Sequence, residues 1–318
     1  MIIERPLYLK QLIGLRHNGM IKIVTGIRRC GKSFLLSTIY AGWLKEQGVA
    51  DDHIININLE DRRNKALRDP DNLLAFIDSK IKDDDMHYIM IDEIQLVPEF
   101  EDVLNSYLNK PNADVYVTGS NARFLSSNVR TEFAGRGDEI RLHPLSFSKF
   151  NSVRGDDKIL NLREYMIYGG MPQVVLRTTE KEKSEVLKAL FQRTYIRDIV
   201  ERYSIKNSDV LDELLNIVAS SIGGLTNPTK LCNTFESVRH EKVNRMTITS
   251  YLNYLCESFL IEKTSQYDIK GKRYIDSPYK YYFSDCGLRN ARLNFRQIEF
   301  THLMENVIYN DCLLYTSD

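Results

Sequence analysis

The sequence predicts an α/β chain in which a parallel sheet, covered by helices on both faces, precedes a mostly helical second half. Two observations carry this expectation, and a third places a boundary. Short β-branched runs alternate with amphipathic segments over residues 1 to about 150. A glycine-bearing loop, "GIRRCGKS" at 26–33, joins the first run to the first amphipathic segment. After Pro144 the runs give way to Tyr- and Leu-rich helical patterns. The expected division is 1–155, 156–300 and a short final region, 301–318.

The strands are expected at "IKIVT" (21–25), "HIININL" (53–59), "HYIMID" (87–92), "ADVYVTGS" (113–120) and "EIRLHPL" (139–145). They are mostly apolar rather than strictly alternating, as strands buried on two faces should be. "SFLLSTIYAGWLKEQG" and "DNLLAFIDSKI" between them read as amphipathic helices. In the second half, "ITSYLNYLCESFLI" (248–261) sets Ile248, Tyr251, Leu252, Leu255 and Phe259 on one stripe. "LIEKTSQYDI" and "RYIDSPYKYYFSD" then read as a hairpin turning at Gly271.

Composition narrows the classes. An apolar fraction of 43%, with 18 Tyr and 13 Phe, supplies a core and excludes bulk disorder. Lys plus Arg equals Asp plus Glu, 43 each, so any basic surface must be local. The five cysteines are scattered without a Cys-x-x-Cys pair, and the six histidines show no ligand spacing. That pattern implies a reducing, cytoplasmic setting and no structural zinc. No run of 18 apolar residues occurs, and charges interrupt "MIIERPLYLKQLIGL", so no membrane partner is expected.

"GIRRCGKS" fits Gly-x-x-x-x-Gly-Lys-Ser, a loop whose backbone amides cradle nucleotide phosphates. Gly26 and Gly31 allow the tight turn, Ile27, Arg28, Arg29 and Cys30 fill the variable positions, and Phe34 follows in the helix. Lys32 would reach the β- and γ-phosphates, and the Ser33 hydroxyl would ligate Mg²⁺. The loop follows an expected strand and opens an expected helix, which is the setting such a site requires. "YIMIDEIQ" ends a later strand in two carboxylates. Asp92 would hold Mg²⁺, and Glu93 would orient the attacking water. "VYVTGSNA" offers Thr118, Ser120 and Asn121 at another strand end, with Ser120 the preferred γ-phosphate sensor and Asn121 second. A plain Gly-Ser-Asn turn is the alternative there.

These stretches, with "FAGRGDEIRLHPLSFSKF", follow the order and spacing of bacterial and archaeal AAA+-like P-loop ATPases. "YGGMPQVV", "ITSYLNYLCESFLI" and "KYYFSDCGLRNA" resemble the C-terminal domain of unknown function that usually follows that module. The resemblance implies an AAA+-like domain, a winged-helix-like domain, and ATP rather than GTP as the nucleotide. It implies that Arg136 acts on the γ-phosphate of a neighbouring subunit, hence a homo-oligomer, with a salt bridge or cap as its alternative. It also implies that "ERPLY" (4–8) borders the adenine, unless Leu7 and Tyr8 strap that segment to the core. Typical members continue into a nuclease-like region. Here "FTHLMENVIYNDCLLYTSD" begins like its first helix, with Glu305 as a first carboxylate, and no later Asp…Glu-x-Lys strand follows. No nuclease activity is therefore expected, and "CLLYTSD" reads as a truncation or sequencing scar.

The second half raises the question of nucleic acid. "TNPTKLCNTF" and "MTITSYLNYLCESFLIEK" fit the two helices of a helix-turn-helix, with 262–283 as the wing. Thr249, Ser250 and Asn253 would face a groove of double-stranded DNA, and Lys270, Lys272 and Arg273 would meet phosphates. Residues 263–292 hold seven Lys or Arg against three Asp, a modest excess that solvated lysines would also produce. The leading expectation is Mg²⁺-dependent ATP hydrolysis coupled to the C-terminal domain. The alternative is a slow ATP-binding switch acting on a DNA or protein partner. Glu93 favours hydrolysis, because a switch needs only the Mg²⁺ carboxylate. A small-molecule kinase would leave Glu93 and the C-terminal half without a role.

Overall fold

The computed structural model describes residues 2–120, 135–240, 242–265 and 278–316. The chain forms two compact units, 1–26 with 31–142, and 27–30 with 143–318.

The first unit is built on five parallel strands: β1 (Ile21–Thr25), β2 (Ile54–Asn58), β3 (His87–Asp92), β4 (Ala113–Thr118) and β5 (Gly137–Arg141). Their spatial order is β2-β3-β4-β1-β5. The central strands β1, β3 and β4 are buried almost throughout, whereas the edge strands are more open: β2 exposes Asn56 and Asn58, and β5 buries only Ile140. The continuous apolar reading therefore holds only for strands with neighbours on both sides. All five strands fall at expected runs: β1 and β3 have the expected bounds, and β2, β4 and β5 differ at their ends by a few residues. On one face, Ile21, Ile23, Ile57, Ile89, Ile91 and Val117 form a core with Leu73 and Ile77 of the helix Pro70–Lys80. Pro70 at the first helical position and the Asp69 cap, which accepts the Asn72 N–H at 3.0 Å, fix where that helix starts.

The other face carries a buried polar network. Lys22 of β1 is paired in register with Tyr116 of β4, and its ammonium meets the Asp114 carboxylate. Asp114 also accepts from Tyr116 Oη at 2.7 Å and from the His17 N–H at 3.1 Å. Tyr40 Oη lies 2.6 Å from Tyr116 Oη. Tyr40 closes a π-helical stretch, Leu35–Tyr40, inside the helical run that begins at Lys32 and ends at Glu46. Burial pushes both tyrosine hydroxyls far above their usual range, so they remain neutral donors. The segment "ERPLY" opens a helix, Pro6–Leu15, that buries Tyr8 and Leu12 while Leu7 is 40% exposed. Tyr8 packs as the strap reading requires, and Leu7 does not.

The second unit is mostly helical, with one antiparallel pair, β6 (Ile261–Ser265) and β7 (Tyr279–Phe283). The two helices expected before the hairpin run over Pro228–Arg239 and Arg245–Glu257. Thr226 bridges Tyr279 on the other side of β7. The turn expected at Gly271 lies outside the described residues. "YGGMP" and "SDCGLRNA", far apart in sequence, meet in the interior. Asp285 caps the helix Cys286–Arg292 by accepting the Leu288 N–H at 3.0 Å, and its second oxygen accepts the Gly170 N–H at 2.7 Å. A Cβ on Gly170 would lie 2.1 Å from the Leu145 carbonyl, and one on Gly287 equally close to that of Tyr168. Asn290 Nδ2 donates to the carbonyls of Met166 and Ile167, both at 2.9 Å, which closes the same junction. Burial raises the Asp285 carboxyl to about 6 despite those backbone donors.

Two outcomes are expected. Asp114→Ala strands the Lys22 ammonium, so urea unfolding should show a loss of about 3–5 kcal/mol. The Lys22→Met/Asp114→Asn double variant, which removes both charges and keeps an acceptor, should lose less than Asp114→Ala alone. For Asp285, the folded pKa of about 6 exceeds the ordinary 3.8, so the folded state holds the proton more tightly. Its contribution is complete below the unfolded value and is lost as pH rises through the folded one, by about 3 kcal/mol. Unfolding free energies measured from pH 4 to 7 should show this decline in wild type and lack it in Asp285→Asn.

Candidate functional site

The strand order places the carboxyl ends of β1, β4 and β3 side by side, which is where ligands bind in open α/β sheets. The loop 26–33 leaves β1 there. Gly26 (φ 136°) and Gly31 (φ 109°) occupy conformations that residues with a Cβ rarely adopt, and space is open where a Gly31 Cβ would point. Gly31 caps the helical run, so Lys32, Ser33 and Phe34 form its first turn. Lys32 is 4% exposed and its ammonium donates to the Gly26 carbonyl at 3.0 Å, across the loop. Phe34 is partly exposed.

Residues Ile27–Cys30 group with the second unit. There the Arg28 carbonyl accepts from Tyr195 Oη at 2.8 Å, and the Arg28 guanidinium faces Asp198 at 3.6 Å. Ile27 and Cys30 are buried, and Arg29 takes a positive φ of 66°.

The Ser33 hydroxyl donates to Asp92, 2.7 and 2.8 Å from the two carboxylate oxygens. Thr118 Oγ1, at the end of β4, donates to Asp92 Oδ1 at 2.6 Å and accepts the Glu93 N–H at 3.0 Å. One hydroxyl thus positions both members of the acidic pair. Burial raises the Asp92 carboxyl, the Thr118 and Ser33 hydrogen bonds oppose that rise, and neighbouring Glu93 adds to it. A hydroxyl and a carboxylate this close, partly desolvated, form an oxygen donor set that suits Mg²⁺.

Glu93 is 7% exposed with a left-handed backbone (φ 56°), a conformation that costs about 1–3 kcal/mol in a non-glycine residue. Its Oε2 accepts from Ser120 Oγ at 2.9 Å and from the Gln95 side-chain amide. The Ser120 hydroxyl is therefore committed to Glu93 in this conformation, whereas a γ-phosphate contact was expected from the sequence. A cavity of about 180 Å³ beside the acidic pair is lined by Ser33, Ser37, Asn56, Asn58, Asp92 and Thr118. Sequence reasoning gave no role to Gln95 or to the β2 asparagines. Gln95 stands in the "DEIQ" stretch, and its position two residues after Glu93 was the available signal.

Asn121 lies outside the described residues. Arg136 is exposed, and its carbonyl accepts the Ile21 N–H at 3.0 Å, at the amino ends of β1 and β5. That is roughly 16 Å along β1 from Gly26 at about 3.3 Å per residue. Arg136 is thus at the end of the sheet remote from its own phosphate loop.

In the second unit, Thr249 and Asn253 are exposed and Ser250 is half-buried on Arg245–Glu257. The Thr249 hydroxyl donates to the Arg245 carbonyl at 2.9 Å. A groove of about 440 Å³ is lined by Arg245, Thr249, Asn253, Lys263 and Tyr279 among others, with Lys263 Nζ 3.6 Å from the Tyr279 ring centroid. Lys270, Lys272 and Arg273 lie outside the described residues. Glu305 accepts from Lys280 at 2.7 Å and Tyr282 at 2.6 Å, contacts that hold its carboxyl below the usual range. Among the described residues no helix is long and apolar enough to cross a membrane.

Residues 18–151 match the family model described as AAA domain, and residues 159–299 match Domain of unknown function (DUF8612). An uncharacterized protein of Haemophilus influenzae is 34% identical over 98% of this chain and 79% of its own length. An uncharacterized protein of Methanocaldococcus jannaschii is 29% identical over 91% of this chain and 65% of its own length. Among solved structures, the Aeropyrum pernix ORC2 protein in its ADP form aligns over 96% of this chain and 95% of that one, at 12% identity and a TM-score of 0.44. With one relative this similar across almost the entire chain, and with both domain models in sequence, the chain belongs to a family of bacterial and archaeal AAA+-like P-loop ATPases that carry a C-terminal domain of unknown function.

Proposed function

We propose that the chain binds ATP at the loop 26–33 and hydrolyses it with Mg²⁺. The observation that carries this reading is the Asp92–Glu93 pair held at the loop by Ser33, Thr118 and Ser120. Ser33 and Asp92 would hold Mg²⁺, which when bound neutralises charge on the β- and γ-phosphate oxygens. Lys32, now over the Gly26 carbonyl, would turn to those phosphates. Glu93 would orient and polarise the attacking water. Its Oε2 is tied to Ser120 and Gln95, so Oε1 is the oxygen that would face the water. Ser120 then acts first by positioning Glu93, and Asn121 would complete the phosphate side of the site. Arg136 is too remote for its own nucleotide, so its charge would serve a neighbouring copy in a homo-oligomer.

Nucleotide state would be coupled to the second domain. That domain reads as winged-helix-like, two helices followed by a β-pair. The cations Arg245 and Lys263 beside exposed Thr249 and Asn253 favour double-stranded DNA as its partner. The competing reading is a slow ATP-binding switch with little turnover.

Steady-state ATP hydrolysis, with and without duplex DNA, separates these readings. Lys32→Ala should lose nucleotide binding. Glu93→Gln should bind ATP yet turn over roughly 100-fold or more slower than wild type. If wild type binds ATP and hydrolyses it no faster than Glu93→Gln, the chain is a switch. Thr118→Val removes the hydroxyl shared by Asp92 and Glu93, and Thr118→Ser retains it. The valine variant should lose about tenfold or more in turnover, and the serine variant most of that deficit should recover.

A further inference from the structure

His53 and His87 are far apart in sequence, and nothing in their linear spacing marks them as partners. The parallel register brings them together. Ile54 of β2 pairs with Tyr88 of β3, so the residues just before them enter the sheet side by side. Their ring centroids are 4.5 Å apart at an interplanar angle of 86°. Asp83, in the connection leading into β3, supplies a third group. Its carboxylate oxygens lie 3.2 and 3.0 Å from His53 Nε2, and Oδ1 lies 3.9 Å from His87 Nε2. The ligand atoms of all three residues fall within 4.8 Å of one another. Donors around a tetrahedral zinc ion at ~2.0–2.1 Å stand about 3.3 Å apart, so a small closure would seat one ion.

The surroundings orient these groups as metal ligands need. His87 Nδ1 is 2.8 Å from the Asp85 carbonyl, which can only accept. The ring hydrogen therefore sits on Nδ1, and in the neutral ring Nε2 presents its lone pair toward Asp83. His87 is 1% exposed, so packing fixes that direction. Asn112 Nδ2 donates to the Asp83 carbonyl at 2.8 Å, and the Asp85 N–H donates to Asp83 Oδ1 at 3.0 Å. Those bonds hold the connection that carries Asp83. The Asp83 side chain is half exposed, which provides an entry path. Two imidazoles with one carboxylate select zinc and its first-row neighbours over Mg²⁺ or Ca²⁺, which take oxygen ligands.

We propose that His53, Asp83 and His87 form a site for a zinc-class divalent ion, with the fourth position open to water. The ion would clamp the connection before β3 to the starts of β2 and β3. The site lies at the amino ends of the strands, away from the phosphate loop at their carboxyl ends, and does not depend on the ATPase reading. It would also revise the expectation that the chain lacks structural zinc.

The test is calorimetric titration of Zn²⁺ into the chelator-stripped full chain, without nucleotide or Mg²⁺. One equivalent should bind. His53→Gln and Asp83→Asn, checked for fold by circular dichroism, should each weaken binding at least about tenfold. Ser33→Ala should leave it unchanged, which separates this site from the phosphate loop. Co²⁺ in place of Zn²⁺ should give the absorption bands of a tetrahedral nitrogen and oxygen site without a thiolate charge-transfer band. Absence of Zn²⁺ binding by wild type overturns the proposal. So does binding unchanged in both folded variants, or a thiolate band that assigns the ion to cysteine.

Discussion

Asp92 accepts hydrogen bonds from Ser33 and from Thr118, and those two contacts join the ends of three strands. Ser33 follows β1 through the phosphate loop, Asp92 ends β3, and Thr118 ends β4. They meet only because the chain passes from β1 across two strand positions to begin the β2-β3-β4 side of the sheet. With neighbouring strands about 4.8 Å apart, a different order would separate these groups by one or more strand widths. Glu93 depends on the same contact, since its N–H is bound by the Thr118 hydroxyl that also serves Asp92. The strained backbone at Glu93 is thus held by its neighbours, and it sits where chemistry is expected.

Buried carboxylates organise each unit, and their surroundings make them behave differently. Asp114 meets an ammonium, a tyrosine hydroxyl and a backbone N–H. Asp285 accepts from backbone N–H groups, and burial lifts its carboxyl toward neutrality. The first arrangement makes the pair costly to break on one side. The second should weaken the junction around Gly170 and Gly287 as pH rises through the Asp285 value. The resemblance motifs of the second half thereby acquire a structural meaning. "YGG" and "SDCG" are the two sides of one close backbone approach, where side chains larger than hydrogen would collide with carbonyls.

The parallel sheet, its loop and the acidic pair were legible in the residues. β-Branched runs, glycines that permit the turn, and Asp-Glu at a strand end are local signals, set within a few positions of one another. Edge and centre were less legible, because β2 and β1 read alike as apolar runs and differ only in how many neighbours they acquire. The role of Thr118 was visible only as one of three polar residues after a strand. The direction of its hydroxyl depends on Asp92, which belongs to another strand. Ser120 was assigned to phosphate for the same reason, since its Glu93 partner is not a sequence neighbour. Gln95 had a local signal, two residues from Glu93, and was passed over.

Sequence alone determined the chemistry available to this protein: a glycine-bearing loop of the phosphate-binding pattern, a carboxylate pair, and two halves of different character. Those features arise from residue type and short-range spacing, which determine turns, strand runs and helix starts. Tertiary structure decided which groups touch. It aimed Ser120 at Glu93, gave Asp92 and Glu93 a shared hydroxyl, placed Arg136 at the remote end of the sheet, and set His53 beside His87. Each of those outcomes follows from strand order and register, long-range pairings that no linear spacing encodes.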